Sequence, residues 1–138
     1  NYREEDFAAV MASLTDGQGV DVILDMVGGD YLPRELACVA DDGRIVIIAL
    51  QHGAQATIPL SDILRRRVTI TGSTLRPRSV AFKGKLAREL YTHVWPLLAQ
   101  GAIKPVIETV LPASEIVTAH RLMDAGAHKG KILLSWDS

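Results

Sequence analysis

The chain has 138 residues, of which 48% are apolar, enough to pack one ordinary domain and to exclude a disordered chain. Its 15 Lys and Arg against 16 Asp and Glu leave a formal charge of −1, so the overall balance gives no reason to expect nucleic acid or an anionic membrane as partner, while near-neutrality favours self-association. The single cysteine, Cys38, excludes an internal disulfide framework and fits a reducing compartment. With no signal peptide at Asn1 and no apolar run near the ~18 residues of a membrane span, the expectation is a cytoplasmic chain.

Helix and strand signals alternate from end to end, which predicts α/β architecture with a parallel sheet. Phe7, Val10, Met11 and Leu14 give a helical spacing over Glu4 to Leu14. Asp21 to Asp25 is an apolar run ending in an acid, as a strand covered on both faces would be. A short helix, Tyr31 to Ala40, leads to the turn Asp41-Asp42-Gly43 and a second buried strand, Arg44 to Leu50. An irregular loop from Gln51, a short helix at Ser61 to Arg66 and a third strand at Val68 to Thr71 follow. Ser79 is the expected N-cap of the longest helix, which carries Phe82, Leu86, Leu90, Val94, Leu97 and Leu98 on its core side. Pro96 should kink its last turn and Gly101 should end it. The remainder reads as strand (Val106 to Leu111), helix (Ser114 to Ala125) and strand (Lys131 to Trp136), with a composition change near Pro105.

No phosphate-binding loop is present. The glycine pair Gly28-Gly29 after the first strand and the earlier Gly17-Gln18-Gly19 each lack the third glycine of the dinucleotide fingerprint. Gly126-Ala127-His128-Lys129-Gly130-Lys131 is one residue short of a Walker loop and continues into Ile132 in place of a hydroxyl. His52, His93, His120 and His128 have no metal-ligand spacing with one another, with Cys38 or with a carboxylate. No serine sits in a nucleophile elbow, so covalent catalysis is not expected.

Three successive strands end in small or polar residues: Val27-Gly28, then Ala49-Leu50-Gln51, then Ser73-Thr74-Leu75. In open parallel sheets ligands bind beyond the carboxyl ends of the strands, which makes these ends the natural candidate site, although turns favour such residues in any protein. Eight basic residues and no acid fall between Arg65 and Arg88. Such a run is either a solvated face or a binding surface for an anionic partner.

Several stretches together resemble the zinc-free quinone oxidoreductases, relatives of zeta-crystallin, in the medium-chain dehydrogenase/reductase superfamily. They are Asn1-Tyr2, the run from Gly19 to Gly29, Asp42 to Val46, Ile70 to Arg76 with Pro77-Arg78-Ser79, Trp95 to Leu98, Ile103 to Val106 and Lys129 to Leu134. The resemblance implies the C-terminal part of a longer enzyme: residues 1–105 complete a partial Rossmann domain whose phosphate loop lies upstream, and residues 106–138 return to the substrate domain. It implies that the intact enzyme reduces quinones or related conjugated carbonyls with NADPH in preference to NADH, without zinc, and that this part alone is inactive. By the same resemblance Tyr2 lies beside the adenosine 2′-phosphate and Val27 touches the cofactor. Ile48, Ala49, Leu50 and Gln51 line its ribose and nicotinamide side, and Ser73, Thr74 and Leu75 place the carboxamide. Gly126 stands where some members carry an arginine for the 2′-phosphate. No catalytic residue is assigned. The edge strand Val68 to Thr71 is expected to pair across a two-fold axis in a homodimer. The alternative is a non-catalytic Rossmann-like domain that binds an anionic partner through the Arg65 to Arg88 surface.

Overall fold

The computed structural model describes residues 4–136. Two compact units are present, Asn1–Arg78 and Ser79–Ser138.

The first unit runs α1 (Phe7–Leu14), β1 (Val20–Asp25), α2 (Tyr31–Cys38), β2 (Val39–Ile47), α3 (Leu60–Arg66) and β3 (Thr69–Gly72). Its sheet has the order β1-β2-β3, with both pairings parallel. A helix joins each strand to the next, as parallel neighbours require, because the chain must cross back to start again at the same end. The core is the layer between sheet and helices: Leu32 and Leu36 of α2, Val39 and Ile45 of β2, and Val68 before β3 are buried, with Ile23, Ile58, Ile63 and Ile70 packed against them. Burial of each such side chain is worth roughly 1.5–3 kcal/mol.

Most element ends shift by a few residues from the sequence expectation, β2 ending at Ile47 and not at Leu50, and three differences have a visible cause. Helix α1 begins at Phe7 and not at Glu4, because the Asp6 side chain accepts the Ala8 N–H at 3.2 Å and fixes the cap there. The Asp41-Asp42-Gly43 turn is absorbed into β2. Val20 pairs with Val39 and Val22 with Arg44, so the residues between are looped out, with Asp42 at φ 59°. The long helix is two helices, α4 (Val80–His93) and α5 (Trp95–Ala99), which part at Val94 just ahead of Pro96.

The second unit contains α4, capped by the Ser79 hydroxyl accepting the Phe82 N–H at 3.2 Å, then α5. A β-α-β unit follows, in which β4 (Ile107–Pro112) pairs in parallel with β5 (Lys131–Ser135) across α6 (Ile116–Asp124). The expected core face of α4 is not buried: Phe82, Leu86 and Leu90 are 47%, 39% and 44% exposed. Helical spacing identifies an apolar stripe but not what covers it. No helix among the described residues is long and apolar enough to cross a membrane.

Two glycines ahead of β1 separate backbone strain from steric fit. Gly17 and Gly19 both have positive φ, 77° and 82°, but a Cβ on Gly17 meets nothing whereas one on Gly19 lies 2.7 Å from the Cys38 carbonyl oxygen. Gly17→Ala should cost about 1 kcal/mol through strain alone. Gly19→Ala should cost clearly more, because β2 must move as well; urea unfolding of the two variants that gave equal losses would contradict this packing.

Candidate functional site

Because all three strands of the first sheet are parallel, their carboxyl ends lie along one edge. Main-chain bonds tie those ends together beyond the strands. Ile48 donates to the Asp25 carbonyl at 2.7 Å, His52 to that of Val27 at 2.7 Å, and Ser73 to that of Ile47 at 2.9 Å.

The turn after β1 is held from within. Asp25, the last strand residue, is 1% exposed. Its Oδ1 accepts the N–H groups of Val27 at 2.7 Å and Gly28 at 2.9 Å, so the side chain replaces the ladder bonds that end at the strand terminus. Gly28 and Gly29 then take positive φ, 68° and 54°. A Cβ on Gly29 would come 2.5 Å from the His52 carbonyl oxygen, which makes the pair a packing requirement of the 50–53 loop.

Two grooves open at this edge. The first, of about 390 Å³, lies at the ends of β2 and β3, with Ile47, Ile48, Ala49 and Leu50 on one side and Gly72, Ser73 and Thr74 on the other. The second, of about 670 Å³, is lined by Phe7, Met26, Val27, Tyr31, Gln51 and His52. The structure thus brings Ile48, Ala49, Leu50, Ser73 and Thr74 together, and places Val27 with Gln51. Leu75 lines neither groove. Its carbonyl accepts the Arg78 N–H at 3.1 Å in the following turn. Tyr2 lies outside the described residues.

The profile of the zinc-binding dehydrogenases matches residues 1–134. The chain belongs to that family. It is 40% identical over 121 residues to the highly reducing polyketide synthase cm3B of Cordyceps militaris, covering 88% of this chain and 5% of that protein. Among solved structures, an NAD-dependent alcohol dehydrogenase matches with a TM-score of 0.74 at 29% identity, over 98% of this chain and 36% of the other. The CurK enoyl reductase matches with a TM-score of 0.68 at 30% identity, over 94% and 38%. The fold is therefore the Rossmann-like nucleotide-binding domain, C-terminal part, of the medium-chain dehydrogenase/reductase superfamily. The superfamily depends on nicotinamide dinucleotides. These relatives do not single out the quinone oxidoreductases.

The family description implies zinc, but among the described residues of this dehydrogenase-family chain no three His, Cys, Asp or Glu converge as a metal ion would need. The described residues do not fit that ion. Three members of the basic run are paired with acids within the first unit. Arg65 pairs with Asp62 at 2.6 Å, Arg66 with Asp41 at 3.2 Å, and Arg67 grips both oxygens of Asp42 at 2.6 and 2.7 Å. The acids missing from the run itself arrive from α3 and from the loop in β2.

Sequence reasoning missed Glu35. It is 6% exposed, on the same stripe of α2 as Leu32 and Leu36, and lines one groove with Asp25. An acid at a core position of a helix was the available signal. Burial, with the Asp25 charge beside it, pushes its carboxyl up to about 7 from an unfolded value of 4.5. Between those two values the native state holds a proton that the unfolded chain has released, so stability falls as pH rises. Glu35 therefore contributes fully below pH 4.5, and about 3 kcal/mol is lost by pH 7. Urea titrations at intervals across that window should show the decline, and Glu35→Gln should flatten it.

Proposed function

We propose that this chain supplies the carboxyl-side half of an NADPH site in an oxidoreductase that reduces a carbon–carbon double bond conjugated to a carbonyl, without zinc. The observation that carries the reading is the groove at the ends of β2 and β3. An apolar wall, Ile48 to Leu50, lies with Ser73 and Thr74 around a space of about 390 Å³, which suits a flat ring bearing one amide. When bound, the nicotinamide supplies the hydride. The chain's own residues hold and orient the ring: the apolar wall excludes water from one face, and the hydroxyls and strand-end backbone address the carboxamide. Likeness to an enoyl reductase and to a polyketide synthase supports an enoyl thioester as the acceptor, with quinones as chemically related conjugated acceptors. Because the chain spans 36–38% of the solved relatives and 5% of the curated one, the rest of the site, including any proton donor, would come from another segment. Of the eight basic residues of the anionic-partner alternative, Arg65, Arg66 and Arg67 are paired with acids.

The direct test is calorimetry of NADPH and NADH with the chain and with the complete protein that carries it. NADPH should bind more tightly, Ala49→Trp should fill the groove and abolish binding, and Tyr2→Ala should erase the preference over NADH. Absence of binding in every form would refute the proposal. In the complete protein an enoyl thioester should be reduced faster than a benzoquinone; the reverse order would restore the quinone assignment.

We also propose that β3, which pairs with β2 on one side only among the described residues, meets its equivalent in a homodimer. Light scattering should give about twice the 15.0 kDa chain mass, and a monomeric mass would end the proposal.

A further inference from the structure

We propose that Glu35 and Asp25 share one proton, and that this pair is the device that positions the Val27–Gly29 turn at the edge of the cofactor groove. The positioning part rests on the cofactor reading above; the proton sharing does not.

The geometry leaves little choice about where the proton sits. Asp25 and Glu35 are both buried and line one apolar groove, where two carboxyl groups cannot both hold a negative charge without a cation beside them. Asp25 uses Oδ1 to accept two backbone N–H groups and Oδ2 lies 3.2 Å from the Gly28 nitrogen, so it acts wholly as an acceptor. The proton therefore belongs to Glu35. Its Oε2 is buried without a hydrogen-bond partner among the described residues, a position far less costly for a neutral acid than for an ionised one.

Among the described residues, nothing that lines the groove offsets a second negative charge. From α1 the facing groups are Phe7 and Met11; from β1 they are Val20, Val22, Ile23 and Leu24 beside Asp25; from α2 itself, Tyr31 and Cys38. Burial holds the Cys38 thiol above its ordinary range, and Glu35 adds to that effect. The nearby cation, Arg34, is engaged at 2.8 Å by Asp6 and stacks 4.2 Å over the Phe7 ring. Removal of the Glu35 proton therefore sets two carboxylates against each other in a dry corner. The strain is relieved either by Glu35 swinging into the apolar groove or by Asp25 releasing the turn. In either case the Val27 and Gly28 amides lose the support that fixes them relative to the 50–53 loop.

Carboxyl and amide NMR of the full chain, from about pH 5 to about pH 9, tests this without any ligand. The Gly28 amide resonance should move with the same midpoint as the Glu35 carboxyl, and in Glu35→Gln, which cannot ionise, it should stay at its low-pH position throughout. A Glu35 carboxyl that titrates in the ordinary range near 4.3, or a Gly28 amide that ignores it, would overturn the pair. The wild-type titration decides this even if the variant does not fold. NADPH affinity forms the second arm. Across the same range wild type should weaken about tenfold relative to Glu35→Gln if one protonation state is the competent one; the ratio removes the titration of the nucleotide's own phosphate. Equal pH profiles would overturn the positioning role. Coupled titration of Glu35 and Gly28 with no NADPH binding at any pH would instead refute the cofactor reading and leave the proton sharing standing.

Discussion

Parallel pairing is the constraint on which the candidate site depends. Once β1, β2 and β3 run the same way, their carboxyl ends must finish along one edge, and the small residues that end each strand become neighbours although they are far apart in sequence. The ends are also coupled. Asp25 is the residue where that coupling is densest: its main chain receives Ile48 and its side chain receives Val27 and Gly28. A carboxylate buried to 1% exposure is tolerable there because two N–H groups solvate it in place of water.

The arginines at the far side of the sheet show the same economy of charge. Arg67 itself has φ 55°, and it bonds through a two-pronged contact to Asp42, which has φ 59°. Exposed pairs of this kind contribute little to stability, because solvent screens them. Their effect is local: Arg66 also reaches the Leu36 carbonyl at 2.7 Å, which satisfies an acceptor in the last turn of α2 and ties that helix to α3. Three arginines that read as part of a cationic run in one dimension are paired within the fold in three.

The elements themselves were legible because their signals are local. The β-α alternation, the Ser79 cap, the break near Pro96 and the strand-end residues all follow from spacing and from proline and glycine chemistry. What was illegible depends on partners distant in sequence. Asp41 and Asp42 looked like a solvated turn, yet their role is set by Arg66 and Arg67, 25 residues on. Glu35 belongs to no motif in the sequence, and its place became visible only when α2 was laid on β1 and its carboxyl came to line one groove with Asp25. Phe82, Leu86 and Leu90 were assigned to a core on periodicity, which cannot say whether anything packs on the stripe.

β1 carries the same lesson further. Its unbroken apolar run reads as a strand covered on both faces, yet Val22 and Leu24 are 63% and 61% exposed. Apolar side chains at an open sheet edge are a physical demand for a cover. The solved relatives have the additional polypeptide to meet it, since the matching part is 36–38% of their length. A segment laid along β1 would also close the groove that Asp25 and Glu35 line. Closure would remove more water from Glu35 and raise its proton affinity above the value it has in this chain. The same covering step that completes the sheet would then strengthen the proton-sharing pair and stiffen the turn at the site's edge.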